Sequence, residues 1–357
     1  MKPVRTLLLL ITLFLFSNCK NEISRDTAVW HDVFPKKVYL KNATIQEIRD
    51  DINPMQIGLK DSILVICDIY SDVHFYIYKL PEFNYLGSFG HQGRGPNDLL
   101  DPVFWGQFEN SSSNYKIWTY QTNKMTFSFI DIFKQINSQK KNFDKNIVMP
   151  PEIGSSVNII ALSNNTFIGS GRTDNGEFFI YNDKNKKIKW LPFLIDKNKS
   201  YLEKLKKNNL LKSFKQGIIK VKPDRSMFVK IYGYMPVVDI YDNKAKLLRS
   251  VVMKNYKFPE IKKKKFDDAT KVYYTDVFLT NNFIYVLNRD CSLKELKNGN
   301  GKHIKINVFS WSGKAVLQYI IEESFGYQSP YVIDEKNHKL YIFDIKNSGN
   351  YIKVYDI

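Results

Sequence analysis

One unit of sequence recurs six times along this 357-residue chain, and it constrains the fold more than any motif does. The unit is a short run of β-branched or aromatic residues, a polar gap, a second run ending in an aromatic and often Asp, then a tight turn. It reads "DSILVICDI…HFYIYKLPEFNYLGSF" at 61–89, "NYKIWTY…MTFSFIDI" at 114–132 and "NTFIGSG…EFFIYNDKNKKIKWL" at 165–191. It returns as "RSMFVKI…PVVDIYDNKAKLLRSVV" at 225–252, "NFIYVLN…IKINVFSWSGKAVLQYI" at 282–320 and "HKLYIFDI…YIKVYDI" at 338–357. Runs of this kind, bounded by Asn, Asp, Gly or Lys, read as strands. One further short strand precedes most of them, such as "QIGL", "VFWGQF", "NIIAL", "GIIKV", "DVFL" and "YVID". Four strands per unit, repeated six times around a channel, is the β-propeller way of protecting sheet edges. The sequence therefore predicts an all-β, six-bladed β-propeller with four-stranded antiparallel blades.

The sixth unit reaches residue 357 after only its third strand. A β-like piece, "KKVYLKN" at 36–42, lies just before the first unit and is expected to supply the missing outer strand and close the ring. This places the propeller at 36–357. The composition agrees, since 15% of the residues are aromatic and aromatics favour pleated, half-buried surfaces.

The first residues have a different character. Lys2 and Arg5 precede the apolar run "TLLLLITLFLF" at 6–16, too short to span a bilayer, and "FSNC" follows. This resembles a bacterial lipoprotein signal at 1–18, with Cys19 as the lipidated residue and 19–35 as a tether. Acyl chains on Cys19 anchor such a protein to a membrane without spanning it. Cys67 and Cys291 have no metal or redox spacing and read as free structural thiols. The net charge of +17 falls to about +15 once Lys2 and Arg5 leave with the signal. The lysines are spread along the chain beside acids and asparagines, as on a solvated surface, so nucleic acid is not the expected partner.

The stretch "GHQGRGP" at 90–96 looks at first like a phosphate cradle. A phosphate loop needs a helix N-terminus after its glycines, with Lys-Ser or Lys-Thr for a P-loop, and neither follows. The stretch instead joins the outer strand of blade one, "YLGSF", to the inner strand of blade two. It also carries a resemblance. With its six units it is similar to the TolB-like six-bladed β-propeller lipoproteins of Bacteroidota, over essentially the whole mature length. That family often has Gly-x-Gly-Pro-x-Glu-Phe after its first blade; here the residues are Gly93-Arg94-Gly95-Pro96-Asn97-Asp98-Leu99, with Asp98 and Leu99 in the last two places. Lys20 and Glu22 behind Cys19 look like the surface-export signal of the same lipoproteins. The resemblance implies a fold and a location, a lipid-anchored protein of the cell envelope at the outer membrane or cell surface, and no established chemistry.

Connector length suggests where a ligand binds. In a four-stranded meander, first-to-second and third-to-fourth connections share one face, and second-to-third and interblade connections share the other. The first group is brief. Long segments at 135–145, 196–217, 254–275 and 290–302 are assigned to the second, and long loops in a compact fold are disproportionately functional. The stretch 197–216 carries an apolar stripe, Tyr201, Leu202, Leu205, Leu210, Leu211 and Phe214, that predicts a helix packed on the rim. Arg94, Arg172, Tyr232, Tyr234 and Arg289 are the candidate ligand contacts on that face, since aromatics with arginines suit sugar, peptide or protein recognition.

None of the five histidines has a partner at metal-ligand spacing, and no nucleophile elbow is present. No catalytic residue, metal or cofactor is assigned. The expected function is a non-catalytic binding module for a glycan, a peptide or an envelope protein. The alternative is a propeller hydrolase or lyase acting on an anionic polysaccharide, with channel carboxylates as acid and base. Paired acids with a histidine at the channel mouth favour the enzyme; tyrosine, arginine and asparagine without paired acids favour binding.

Overall fold

The computed structural model describes residues 28–31, 33–48, 52–95, 98–109, 115–137, 143–154, 158–170, 175–191, 199–215, 217–254, 256, 258–262, 264–298, 303–323, 325–326, 329–344 and 351–357. Six small antiparallel sheets form a ring, a six-bladed β-propeller. Blade one is the most regular, with strands Gln56–Lys60, Ile63–Cys67, Val73–Lys79 and Asn84–His91 paired in sequence order. Every residue of Ile63–Cys67 is buried, because this second strand has a neighbouring blade against each of its two faces. Apolar runs without polar alternation are what such a position requires.

The core is a circle of six interblade clusters. Leu64, Ile66 and Tyr76 of blade one meet Val332, Tyr341 and Phe343 of blade six. Phe75 and Phe89 of blade one meet Phe104, Ile117 and Ile130 of blade two. Equivalent layers join blades two and three, three and four, four and five, and five and six. Aromatics fill the wedge between blades: Phe75 and Phe89 stack at 5.0 Å, and Phe104 meets Phe75 edge-on at 5.9 Å.

The closing strand differs from expectation. Lys37–Leu40 does not complete blade six. It runs parallel to Ala315–Ile321 as a fifth strand on blade five, with Lys37 opposite Gln318. The strand that closes the ring is Thr44–Glu47, antiparallel to Tyr351–Asp356, with Thr44 opposite Val354. Side chains explain the exchange. Leu40 is buried and Val38 packs beside it on the blade-five core, so the apolar segment is drawn to that groove. The closing strand "TIQE" buries none of its residues, and Ile45 is 60% exposed. Backbone pairing suffices at an outer edge. Upstream, Ala28–His31 adds a parallel fifth strand to blade four, with Ala28 opposite Ser250 and His31 opposite Met253. The N-terminal segment thus climbs the outside of blades four, five and six in turn.

The two faces follow from strand direction. Turns at 61–62, 80–83, 164–165, 183–186, 222–226, 243–246, 280–282, 311–314 and 335–338 make one face, here the short-turn face. Loops at 92–101, 192–216, 233–236, 254–270, 293–303 and 322–330 make the other, the long-loop face. The 135–145 segment belongs to the short-turn face, contrary to expectation. It joins Thr126–Asp131 to Lys145–Val148, the third and fourth strands of blade two. Its helix, Ile132–Asn137, folds back on blade one, where Ile136 fills the space a side chain at Gly87 would occupy.

Candidate ligand-binding site

The inner strands of the blades run from the long-loop face to the short-turn face, and their first residues surround the channel at the long-loop end. A cavity of about 650 Å³ lies there. All six blades reach it: Gln56 from blade one, Trp105 from blade two, Asn158 from blade three, Lys220 from blade four, Thr275 from blade five and Ser329 from blade six. Its upper wall comes from the long-loop face, through Lys212, Lys215, Glu177, Tyr234, Leu293 and Leu296.

The wall over blade four is held by the predicted helical segment. Helices Lys199–Lys207 and Leu211–Lys215 bury Leu202, Leu205, Leu211 and Phe214 against Tyr232, Met235, Val237 and Val252 of blade four and Phe266 of the 254–270 loop. The two long segments are locked together. Tyr201 stacks on Phe258 at 4.6 Å, and its hydroxyl donates to the Pro259 carbonyl at 2.9 Å. Burial pushes the Tyr201 phenol well above its ordinary value, so it stays a donor. The apolar stripe is therefore spent on the rim, and the helix's polar side carries Lys212 and Ser213 into the cavity wall.

Behind that wall lies a buried polar cluster. Lys230 and Glu177 are 1% and 3% exposed and pair at 2.9 Å. The Tyr232 hydroxyl contacts Glu177 Oε1 and lies 2.8 Å from Asp239 Oδ2, while Ser250 donates to Asp239 Oδ1 at 2.6 Å. The Lys230 ammonium sits 4.8 Å from the Phe178 ring centre and 4.6 Å from that of Tyr232. Charges this deep persist only when paired and hydrogen-bonded. Lower in the channel Lys220 bridges blades four and five through Asp276 at 3.1 Å. At the short-turn end Arg225 of blade four pairs with Glu109 of blade two at 3.3 Å, and Lys60 of blade one donates to the Glu109 carbonyl at 2.9 Å. Burial draws the Lys60 ammonium below the usual lysine value, with Asp61 and Glu109 opposing it.

Among the described residues bordering the cavity, Trp105 Nε1 and Thr275 Oγ1 are polar atoms buried without a hydrogen-bond partner. Buried polar groups are ordinarily satisfied, so such atoms mark where water or a ligand belongs.

The candidate contacts fall in different places. Tyr234 borders the cavity, and Tyr256 donates to its carbonyl at 3.0 Å. Tyr232 is 2% exposed and its hydroxyl turns into the Glu177–Asp239 cluster. Arg289, 5% exposed, donates to the carbonyls of Phe325 at 3.4 Å and Gly326 at 2.6 Å, tying blade five to the loop before blade six. Arg94 is exposed on the 92–101 loop. Arg172 lies outside the described residues, on a connector whose flanking residues Ser170 and Glu177 both border the cavity. Cys19 also lies outside them. Sequence reasoning missed Glu177, Lys230 and Asp239. The signal was a lysine in the middle of the apolar strand "MFVKIY" and an aspartate in the middle of "VVDIYD".

The glycine loop proves to be a fastener. Asp98 Oδ2 accepts from the Gly95 amide at 2.9 Å, and Lys124 donates to the Asp98 carbonyl at 2.9 Å. A β-carbon at Gly93 would lie 2.4 Å from Asp98 Oδ2, so glycine is needed for that close approach. Leu99 is fully buried between blades one and two. Other strand-end acids do similar work: Asp68 accepts from the amides of Asn53 and Tyr70, and Asp242 from those of Lys244 and Lys246. His74 is fully buried, with Nδ1 2.9 Å from the Asp68 carbonyl. Cys67 and Cys291 are buried free thiols, and burial raises both thiol pKa values. Among the described residues no His, Cys, Asp and Glu group is arranged to hold a metal.

This chain belongs to the TolB-like six-bladed propeller-like family, whose model matches residues 33–336. Two Bacteroides crystal structures share the fold. A DUF4221 family member from Bacteroides vulgatus aligns over 89% of this chain and 96% of its own, at 12% identity and a TM-score of 0.59. A Bacteroides fragilis protein designated as exported aligns over 92% and 99%, at 11% identity and a TM-score of 0.53. No curated protein matches the sequence.

Proposed function

We propose that this protein is a lipid-tethered, extracytoplasmic binding module that takes its ligand into the channel mouth on the long-loop face. The observation that carries the reading is the cavity of about 650 Å³, to which all six blades contribute. That volume lies within the range of small-ligand sites, roughly 300–1,000 Å³. It suits a glycan terminus or a short peptide end better than a folded partner. Trp105 and Tyr234 offer aromatic surface, Gln56, Asn158, Ser170 and Thr275 offer hydrogen bonds, and Lys212 and Lys215 add positive charge at the wall. Arg94 serves as an outer contact at the mouth, while Tyr232 and Arg289 keep its walls in place. The tether is Cys19 in its lipoprotein-like setting, and the designation of the Bacteroides fragilis relative as exported supports the location.

One observation bears on the enzymatic reading: Glu177 and Asp239 both contact Tyr232. Glycan cleavage needs two carboxyl groups placed on either side of the scissile bond. Asp239 stands behind Tyr232 and does not border the cavity; Glu177 and Asp276 do, but each is held in an ion pair, with Lys230 at 2.9 Å and with Lys220 at 3.1 Å, and no histidine borders it among the described residues. Binding is the reading we adopt.

The test is a thermal-shift screen of the mature protein against oligosaccharides and peptides released from its own envelope. A ligand at a hundred times its Kd stabilises by about 2.7 kcal/mol, a readable shift. Tyr234→Ala combined with Lys212→Ala should remove the shift, while Lys244→Ala with Lys314→Ala on the opposite face should keep it. The reverse pattern overturns the site.

A further inference from the structure

The N-terminal segment reports which way the propeller faces. We infer that the anchored protein stands with its short-turn face against the lipid surface and its channel mouth turned away from it. The inference rests on the reading that Cys19 carries the anchor.

Strand direction carries the argument. Leu247–Met253, the outer strand of blade four, begins at the 243–246 turn and runs towards the long-loop face. Ala28–His31 is parallel to it, so the chain before Ala28 points to the short-turn face. Nine peptide steps separate Cys19 from Ala28 and reach at most about 30 Å when fully extended. Ala28 lies opposite Ser250, three residues from the short-turn end of its partner strand, roughly 10 Å. About 20 Å of slack then remains on that side. To reach the long-loop side the tether has to reverse, pass the level of Met253 again, and clear the helices and 254–270 loop packed over that end of blade four. Met253 lies about 10 Å from the level of Ala28 and a helix with its side chains adds about 10 Å, so about 10 Å remains before the reversal is counted, half the slack of the short-turn side.

The chemistry of the short-turn face fits an anionic lipid surface. Its turns expose Lys184, Lys186, Lys244, Lys246, Lys314 and Lys336, against exposed Asp61, Glu82 and Asp224, among the described residues. Lysines close to anionic headgroups are attracted to them. The helix Lys199–Lys207 on the other face is also basic, so charge permits the orientation and the strand direction selects it. At the membrane-facing end the Glu109–Arg225 pair and Lys60 meet across the channel. Ligand enters from the side away from the bilayer.

The experiment couples the chain from residue 19 onward through the Cys19 thiol to a maleimide lipid in phosphatidylglycerol-containing vesicles. Cys67 and Cys291 are buried and do not compete. Lysines are then acylated by a soluble amine reagent and read by mass spectrometry, bound against free. Lys184, Lys244, Lys246, Lys314 and Lys336 should lose reactivity several-fold, and Lys204, Lys206, Lys207 and Lys264 should keep it. Protection of the second set instead, or equal protection of both, overturns the orientation. Separately, the mass of Cys19 peptides from cell-derived protein is measured. An unmodified Cys19 there overturns the anchor and with it the orientation in the cell, whereas acylated Cys19 with a reversed footprint overturns the orientation alone.

Discussion

Lys230 is the residue on which the blade-four wall of the site depends. Its ammonium is 1% exposed, paired with Glu177 and placed over two aromatic rings. Removing the positive charge leaves Glu177 in a buried position without this partner, and breaking a buried pair typically costs about 3–5 kcal/mol. Lys230→Met should therefore lower the urea midpoint substantially, whereas Lys206→Met on the exposed Lys206–Glu203 pair should leave it nearly unchanged. Equal midpoints for the two variants would sink the assignment. The position was legible in part. A lysine between Val229 and Ile231 breaks an apolar strand, which asks for a partner, but the partner lies on another blade and 53 residues away. Leu99 was not legible in this way: it stands where the family motif has Phe, which left its packing open, and it is fully buried between blades one and two.

At the level of elements, the six repeated units and the rim helix were readable because each is set by local pattern: apolar runs, turn residues and a helical stripe. The closing strand was not. "KVYL" has the stronger β pattern, yet its apolar side chains suit the groove on blade five, while the polar "TIQE" needs only backbone partners. The misplaced 135–145 connector failed differently, since its face depends on counting every strand of blade two, whose inner strand is only Pro102–Val103. The corrected topology makes a prediction. Prolines at Ile45 and Gln46 remove amides from the strand that closes the ring, whichever of the two donates. That variant should melt well below wild type, whereas prolines at Val29 and Trp30 in the added blade-four strand should cost much less. Equal melting temperatures would show that Thr44–Glu47 does not close the ring.

The ring as a whole stands on buried phenols. Tyr120 lies between blades two and three, Tyr274 between four and five, Tyr285, Tyr331 and Tyr355 between five and six, and Tyr341 between six and one. Burial disfavours the phenolate, pushing Tyr120 and Tyr341 up to about 12 and the others further. An unfolded tyrosine ionises near pH 10. Above that pH the unfolded chain releases protons that the folded ring keeps, so the folded state loses stability as pH rises. The contribution is complete below about pH 10 and is lost as the pH climbs through about 12. Because these tyrosines sit in four of the six interblade layers, their ionisation should accompany the opening of the ring as one event rather than the fraying of one blade. The urea midpoint should hold from pH 8 to about pH 10 and fall steeply beyond it, with tyrosinate absorbance rising in step with the loss of near-ultraviolet dichroism. Lysines also lose charge in this range, so the coincidence of the two optical signals is what discriminates. Tyrosinate from these positions appearing while the dichroism is intact would mean the interblade phenols are not held as the structure places them.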